Sequence, residues 1–170
     1  MRRTAISILL LIATVLSLAS CKKKSHEQRI EYCELGMVLT DEFSAYESDG
    51  VFNLAYSDGN MIVGISRYSF VDCEQVGLLT TYSPKKLANV YLERLGMQVD
   101  EKVKMQGDVP YFSYTKTESD GVEYYYMPTF YRTQYAYFII TFITPKARMI
   151  EGREEVFEYI NTVYLLEEYK

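Results

Sequence analysis

The spacing of apolar residues predicts a series of short strands and two amphipathic helices. Over most of the chain, apolar side chains recur at every second position, the period of a strand with one buried face. Asp-Gly pairs at 49–50, 58–59 and 120–121 provide the positive φ angles that tight hairpins require. The predicted strands cover residues 31–39, 51–56, 61–70, 98–105, 110–117, 122–132, 134–144 and 164–166.

The helices are predicted from the 3.6-residue spacing of apolar positions and from capping residues. Ser83 suits the N-cap, Pro84 the first helical position and Gly96 the stop, so a helix is expected over 84–95. A second helix follows Pro145, with its apolar positions between 156 and 163. The segment 70–82 fits either a loop or a short helix.

The predicted order is β-β-β-α-β-β-β-β-α. Each helix has one apolar stripe, which has to pack on the sheet. We therefore expect a single α+β domain over residues 30–170, built as a mainly antiparallel sheet flanked by helices.

Three segments resemble the Mog1/PsbP-like fold, which occurs in small bacterial lipoproteins. Residues 34–39 resemble its opening strand, although Thr40 stands where proline is usual. Residues 135–142 resemble the long penultimate strand, and 155–163 the closing helix. The resemblance spans about residues 31–166 and implies a sandwich of sheet and helices. It also implies accessory binding to a larger assembly, because known members mostly act in that way.

The N-terminus has the pattern of a lipoprotein signal peptide. Two arginines precede an uncharged apolar run at 5–18, which is short for a membrane-spanning helix. The sequence Leu-Ala-Ser-Cys at 18–21 resembles a lipobox. We expect a signal peptide at 1–20, acyl chains such as palmitate on Cys21, and a polar tether over 21–29. A secreted protein with an incidental cysteine is the alternative.

The expected location is extracytoplasmic, on a membrane reached through the acyl chains. Three lysines at 22–24 follow the lipidated cysteine and can contact anionic headgroups. The Ser-Cys-Lys-Lys start resembles outer-membrane lipoproteins, so the outer membrane is favoured. A Gram-positive plasma membrane is the alternative.

Composition argues against several classes of function. The net charge is −5, and no basic stripe is available to displace the counterions of a nucleic acid. The one histidine, His26, lies in the tether, so a Ser-His-Asp or Cys-His site within the fold is excluded. A glycine-rich phosphate loop is absent too. We expect a protein that is not an enzyme and has no cofactor.

Two cysteines remain besides Cys21, and two states are open to them. Cys33 and Cys73 could form a disulfide, which the compartment permits. In a simple meander their strand ends lie too far apart for the bond, which requires Cα atoms within about 7 Å. Two buried thiols are therefore the favoured state.

Metal binding has one weak candidate. A usual zinc site is excluded because the cysteines and the distant histidine are too few. Calcium requires only oxygen ligands, which four acids near one turn could supply. Their spacing is not that of an EF-hand, and a solvated acidic loop is favoured. The four acids are Asp41, Glu42, Glu47 and Asp49.

The chain contains 17 tyrosines, several of them close together on one predicted strand. Tyr124, Tyr126 and Tyr131 are candidates for a binding surface, because tyrosine is enriched in binding hot spots. The alternative is cross-strand aromatic pairing that only stabilises the sheet.

Taken together, these patterns favour a lipid-anchored cell-envelope protein acting as a non-catalytic binding or accessory module with an envelope protein partner. A protein with a small apolar ligand in a pocket between sheet and helix is the first alternative. A hydrolase that uses only carboxylates is the second.

Overall fold

The computed structural model describes residues 26–96 and 102–169. The predicted signal peptide, Cys21 and most of the tether lie outside the described residues, as does the first part of the strand predicted at 98–105. In chain order the elements are β1 (Glu27–Tyr32), β2 (Leu35–Thr40), β3 (Ser44–Ala45), β4 (Leu54–Ser57), β5 (Ile62–Ser69), α1 (Phe70–Gln75), α2 (Pro84–Leu95), β6 (Lys104–Gln106), β7 (Val109–Tyr111), β8 (Tyr114–Thr117), β9 (Glu123–Arg132), β10 (Ala136–Pro145), α3 (Met149–Ile160) and β11 (Tyr164–Leu165).

The strands form two antiparallel sheets. The larger sheet has the order β3-β4-β5-β10-β9-β7-β6, and β8 also pairs with β9. The smaller sheet has the order β1-β2-β11. Strand β10 lies at the centre of the larger sheet and is buried along nearly its whole length, which explains why its sequence is apolar on both faces.

The two faces of the larger sheet carry separate hydrophobic clusters. On β10, Phe138 and Ile140 point into a cluster with α3 and the smaller sheet. Tyr137 and Ile139 point the other way, into a cluster with α1 and α2. We call these the α3 face and the α2 face. The α+β fold class predicted from sequence is therefore confirmed.

Helix α2 is confirmed at both of its ends. The Ser83 hydroxyl accepts a hydrogen bond from the backbone N–H of Lys86, and Pro84 opens the helix. Gly96 ends it with φ of 61°, the left-handed conformation that glycine adopts without strain. The second predicted helix corresponds to α3, and the segment left open contains the short helix α1.

The prediction of one strand over 31–39 was wrong, because this region contains the turn between β1 and β2. Cys33 adopts φ of 52° in the turn, a conformation for which a cysteine gives no sequence signal. The strand predicted at 110–117 is likewise divided into β7 and β8. By the pairing register the interruption lies opposite Met127 and Pro128, and proline has no N–H to donate to a neighbouring strand.

The disulfide considered between Cys33 and Cys73 is not formed. Both thiols are free. Cys33 is exposed in the β1–β2 turn, whereas Cys73 is buried in α1 against the α2 face. The alternative of two buried thiols therefore describes Cys73 but not Cys33.

None of the helices within residues 26–96 and 102–169 has the length and apolarity that crossing a membrane requires.

Candidate functional site: an apolar groove on the α2 face

An open groove of about 290 Å³ runs between the two helices and the sheet on the α2 face. This volume lies just below the range for small-molecule sites, about 300–1,000 Å³. The lining is mostly aliphatic and aromatic, and it consists of Tyr68, Val76, Leu78, Leu87, Val90, Tyr91, Arg94, Leu95, Tyr137 and Ile139.

One wall of the groove is the apolar stripe of α2. Leu87, Val90, Tyr91 and Leu95 follow helical spacing and lie on one side of the helix. Leu87 is buried at 3% exposure, but the three residues after it on the stripe are only half-buried. The second half of the stripe therefore faces the groove, where it is left partly open to solvent.

The opposite wall is formed by α1 and the segment that follows it. The Ser69 hydroxyl caps α1 by accepting a hydrogen bond from the N–H of Asp72. Tyr137 on β10 donates its hydroxyl to the carbonyls of Leu79 and Tyr82, each at 2.9 Å. These contacts tie the α1–α2 connection to the sheet, so the groove has a fixed floor and a fixed wall.

Three polar groups interrupt the apolar lining. The guanidinium of Arg94 lies on the stripe of α2, at its C-terminal end. The half-buried Tyr91 packs against Phe130 and Phe112, and this burial raises the pKa of its phenol. Tyr68 lies close enough to raise the pKa of Tyr91 slightly further. The raised pKa keeps the Tyr91 phenol protonated at physiological pH, and the hydroxyls of both tyrosines can donate hydrogen bonds.

Exposed apolar side chains lie in the groove and on α1 and the segment that follows it, which we call the rim. Val76 and Tyr68 line the groove and are 66% and 42% exposed. Val71 on α1 and Leu79 after it are 67% and 56% exposed. Apolar side chains exposed beside an apolar groove are what an interaction site offers.

A larger concavity of about 490 Å³ lies on the outer surface of the smaller sheet. Its lining contains Arg29, Glu31 and Glu167, and the Tyr164 hydroxyl donates a hydrogen bond to Glu31 at 3.1 Å. Charged side chains of both signs therefore line this concavity. We therefore regard the apolar groove, which is smaller, as the better candidate for a binding site.

The tyrosines predicted as a binding surface do not share one face. Tyr124 and Tyr126 lie on the α2 face, whereas Tyr131 lies on the α3 face and packs against its cluster. The Tyr126 hydroxyl donates a hydrogen bond to Glu118 at 2.5 Å, and its ring stacks on Tyr114. Burial, together with this bond to Glu118, raises the pKa of the Tyr126 phenol.

These contacts fit the alternative of cross-strand aromatic pairing. The Tyr124 hydroxyl is held in the same way, since it donates a hydrogen bond to Asp120 at 3.1 Å. Both hydroxyls of this tyrosine pair are therefore hydrogen-bonded to acids within the β8–β9 hairpin.

The four acids considered for calcium are not brought together as ligands. Asp41 and Glu42 follow β2, whereas Glu47 and Asp49 lie in the exposed segment between β3 and β4. Among the residues that the structure describes, which include all four, no group of three or more acidic, histidine or cysteine side chains could hold a metal ion. All four acids are exposed, and the structure does not assemble them around one point.

The alternative of a hydrolase that uses only carboxylates predicts two acids that converge in a cleft and have raised pKa values. Burial raises the pKa of Glu155 on α3, and the Tyr159 hydroxyl donates to this carboxylate at 3.3 Å. The groove lining contains no acid. The groove therefore offers mainly apolar contacts, and its lining supplies no carboxylate.

One sequence signal for the groove was present in the helix pattern. Arg94 occupies a position on the apolar stripe of α2, where a charge is unfavourable if the whole stripe is buried. Its presence indicates that this end of the stripe remains open. Sequence reasoning assigned the stripe to packing and did not use this signal.

Comparisons with known proteins bear on the fold. No protein-family model and no curated protein matches the chain. A crystal structure of a protein from Bacteroides thetaiotaomicron VPI-5482 is similar with a TM-score of 0.58 at 15% identity, and the match covers 86% of this chain and 50% of that one. The chain therefore spans half the length of that protein.

The solution structure of PsbP (CyanoP) from Synechocystis sp. PCC 6803 also matches, with a TM-score of 0.48 at 10% identity. That match covers 86% of this chain and 98% of the PsbP chain.

Proposed function

We propose that this protein is a lipid-anchored, non-catalytic binding module of the cell envelope, and that the groove on the α2 face is its binding element. The observation that carries the proposal is the half-buried apolar stripe of α2, which faces an open cavity of about 290 Å³. Leaving this apolar surface in water costs free energy, roughly 25 cal/mol per Å². A bound apolar group would remove that cost.

The concave shape of the groove favours a small apolar ligand as its occupant. Tyr137 and Ile139 form a floor beneath the gap between the helices, so a ligand there would contact protein on several sides. Enclosure of this kind is typical of small-molecule sites. A flat protein contact would leave the floor unfilled.

An accessory role with an envelope protein partner is the second candidate, and the rim favours it. Val71 and Leu79 have exposed apolar side chains that do not line the cavity, so a small ligand in the groove would not cover them. A partner protein that lays an apolar segment over the groove would bury these side chains as well.

The two candidates are distinguished by photocrosslinking in intact cells. A photoreactive residue is placed at Val76 in the full-length chain, and the control carries it at Ile150, which is 75% exposed on α3. The expected product is a small-molecule adduct at Val76 that intact-protein mass spectrometry detects. A protein adduct at Val76 would favour the accessory role, and equal products at both positions would refute binding in the groove.

The proposed anchor is tested independently by metabolic labelling with an alkyne analogue of palmitate. The label should appear on the wild-type chain and disappear in Cys21→Ser, because acylation requires the thiol. Cys33→Ser is the matched control and should keep the label. Equal labelling of wild type and Cys21→Ser would refute lipidation at this residue, whatever the groove binds. Separation of inner and outer membranes then tests the proposed outer-membrane location.

A further inference from the structure

The groove contains one charged side chain, and its position gives the groove a polarity. Arg94 is the only charged residue among those that line it within the described part of the chain. Leu87 and Arg94 are seven positions apart on the same side of α2, which corresponds to about 10 Å along the helix axis. The groove therefore has an apolar end near Leu87 and a cationic end near Arg94.

Within residues 26–96 and 102–169, no ion pair of Arg94 is found. Arg67, Lys116, Lys146 and Arg148 do pair with acids there. No hydrogen bond from its side chain to another described residue is found either. Arg94 is exposed, so it can keep its hydration until a ligand replaces water.

The phenol groups near Arg94 add hydrogen-bond donors. Tyr91 lies three positions before Arg94 on the same stripe, and Tyr68 interacts electrostatically with Tyr91 across the groove. A neutral phenol and a guanidinium both donate hydrogen bonds, so an acceptor with negative charge suits this end of the groove. A cationic headgroup would be repelled by Arg94.

We propose that the groove binds an amphiphile with one apolar chain and one anionic headgroup, with the chain along Leu87, Val90 and Ile139 and the headgroup against Arg94. A long-chain carboxylate is the simplest molecule of this class. The inference rests on the proposed function, because it names the chemistry of the ligand for the same groove. It also specifies the orientation of the ligand in the groove and a preference for an anionic over a neutral or cationic headgroup.

The test is competition binding to the full-length protein held in nanodiscs of neutral phosphatidylcholine. The probe is a dansyl-labelled undecanoate, whose fluorescence rises in an apolar site. Dodecanoate, dodecanol and dodecyltrimethylammonium compete as matched chains with anionic, neutral and cationic heads. Empty nanodiscs correct for partitioning into lipid. Dodecanoate is expected to compete roughly tenfold better than dodecanol, as expected for one charge-assisted hydrogen bond.

Three variants test the headgroup contact independently of the apolar groove. Arg94→Gln should remove the roughly tenfold preference for dodecanoate and leave dodecanol unchanged. Arg148→Gln changes an arginine beside α3, away from the groove, and should behave as wild type. Val90→Trp fills the groove and should abolish competition by both compounds. Circular dichroism of each variant shows whether it is folded.

The outcomes distinguish the inference from the proposed function. Equal competition by dodecanoate and dodecanol in the wild type, with a clear loss in Val90→Trp, would overturn the anionic headgroup and keep the groove. Unchanged probe binding in a folded Val90→Trp would overturn both. Stronger competition by dodecyltrimethylammonium than by dodecanoate would also overturn the inference.

Discussion

The ion pair between Glu34 and Arg67 fastens the β1–β2 hairpin to the larger sheet. The Glu34 side chain is 3% exposed and that of Arg67 is 24% exposed. Arg67 donates from Nε to one carboxylate oxygen at 2.8 Å and from Nη2 to the other at 2.5 Å. The guanidinium also lies over the ring of Phe138, 5.9 Å from its centroid. The pair thus joins the turn after β1 to β5 and β10.

Replacing Arg67 by methionine would leave the Glu34 carboxylate buried without its partner. Removing one member of a buried pair typically costs about 3–5 kcal/mol. Arg67 is partly exposed, so water can reach the Glu34 carboxylate once the guanidinium is removed. We therefore expect a loss of stability at the lower end of this range, about 3 kcal/mol at pH 7. Changing both residues to methionine should recover most of this loss, because no charge is then left buried.

The loss of unfolding free energy in Arg67→Met should become smaller as the pH falls. The hydrogen bonds from Arg67 hold the pKa of Glu34 below its usual range. The pair is therefore fully stabilising above the pKa of an unfolded glutamate, about 4.3, and its contribution is lost as pH falls through the lower folded value. In Arg67→Met, burial favours the protonated acid. The difference between wild type and variant should therefore shrink between pH 7 and pH 4.

Urea unfolding of the full-length protein measures these free energies. The chain has no tryptophan, so near-ultraviolet circular dichroism of its 17 tyrosines provides the signal. A deficit below about 1 kcal/mol for Arg67→Met at pH 7 would refute the reasoning, because it would correspond to a solvent-exposed pair. An equal deficit in the double variant would refute the role of the unpaired charge.

Three further predictions concern other contacts. Gly64→Ala should destabilise the protein by about 1–3 kcal/mol in urea unfolding, because a Cβ there would lie 2.5 Å from the Phe52 ring; no change would show that the ring moves freely. Tyr137→Phe should cost about 1–3 kcal/mol, because the Tyr82 carbonyl loses the hydroxyl bond and the Leu79 carbonyl keeps only the bond from the N–H of Tyr82, and proteolysis should become faster within residues 79–82; an unchanged cleavage pattern would contradict this. Iodoacetamide should alkylate Cys33 in the native protein but Cys73 only after unfolding, which peptide mass spectrometry detects; equal rates would contradict the burial of Cys73.

Local signals predicted the elements whose boundaries depend on nearby residues. Helix α2 begins at Pro84 after the Ser83 cap and ends before Gly96, because capping and left-handed φ are decided within one turn of the chain. The strands β9 and β10 were also predicted within two residues, since long apolar runs identify a buried strand. The α+β class followed from the order of these elements.

The β1–β2 turn could not be predicted because its cause is distant in sequence. Cys33 and Glu34 are not typical turn residues, and a period-two pattern runs through them without interruption. The turn is held by Arg67, which binds the carboxylate of Glu34 from β5. The three candidate tyrosines are divided for a local reason, because Tyr126 and Tyr131 are five positions apart on β9 and an odd spacing places them on opposite faces.

By itself, then, the sequence determined most of the strands, helix α2 with its caps and the class of fold, because hydrophobic period and capping act over a few neighbouring residues. The tertiary structure alone decided that half of the α2 stripe would stay open beside Tyr68 and Tyr137, with Arg94 at one end. The groove is formed by β5, α1, α2 and β10, whose residues are up to 71 positions apart, from Tyr68 to Ile139. Whether an apolar stripe is covered depends on how closely such distant elements approach, and no local pattern encodes that distance.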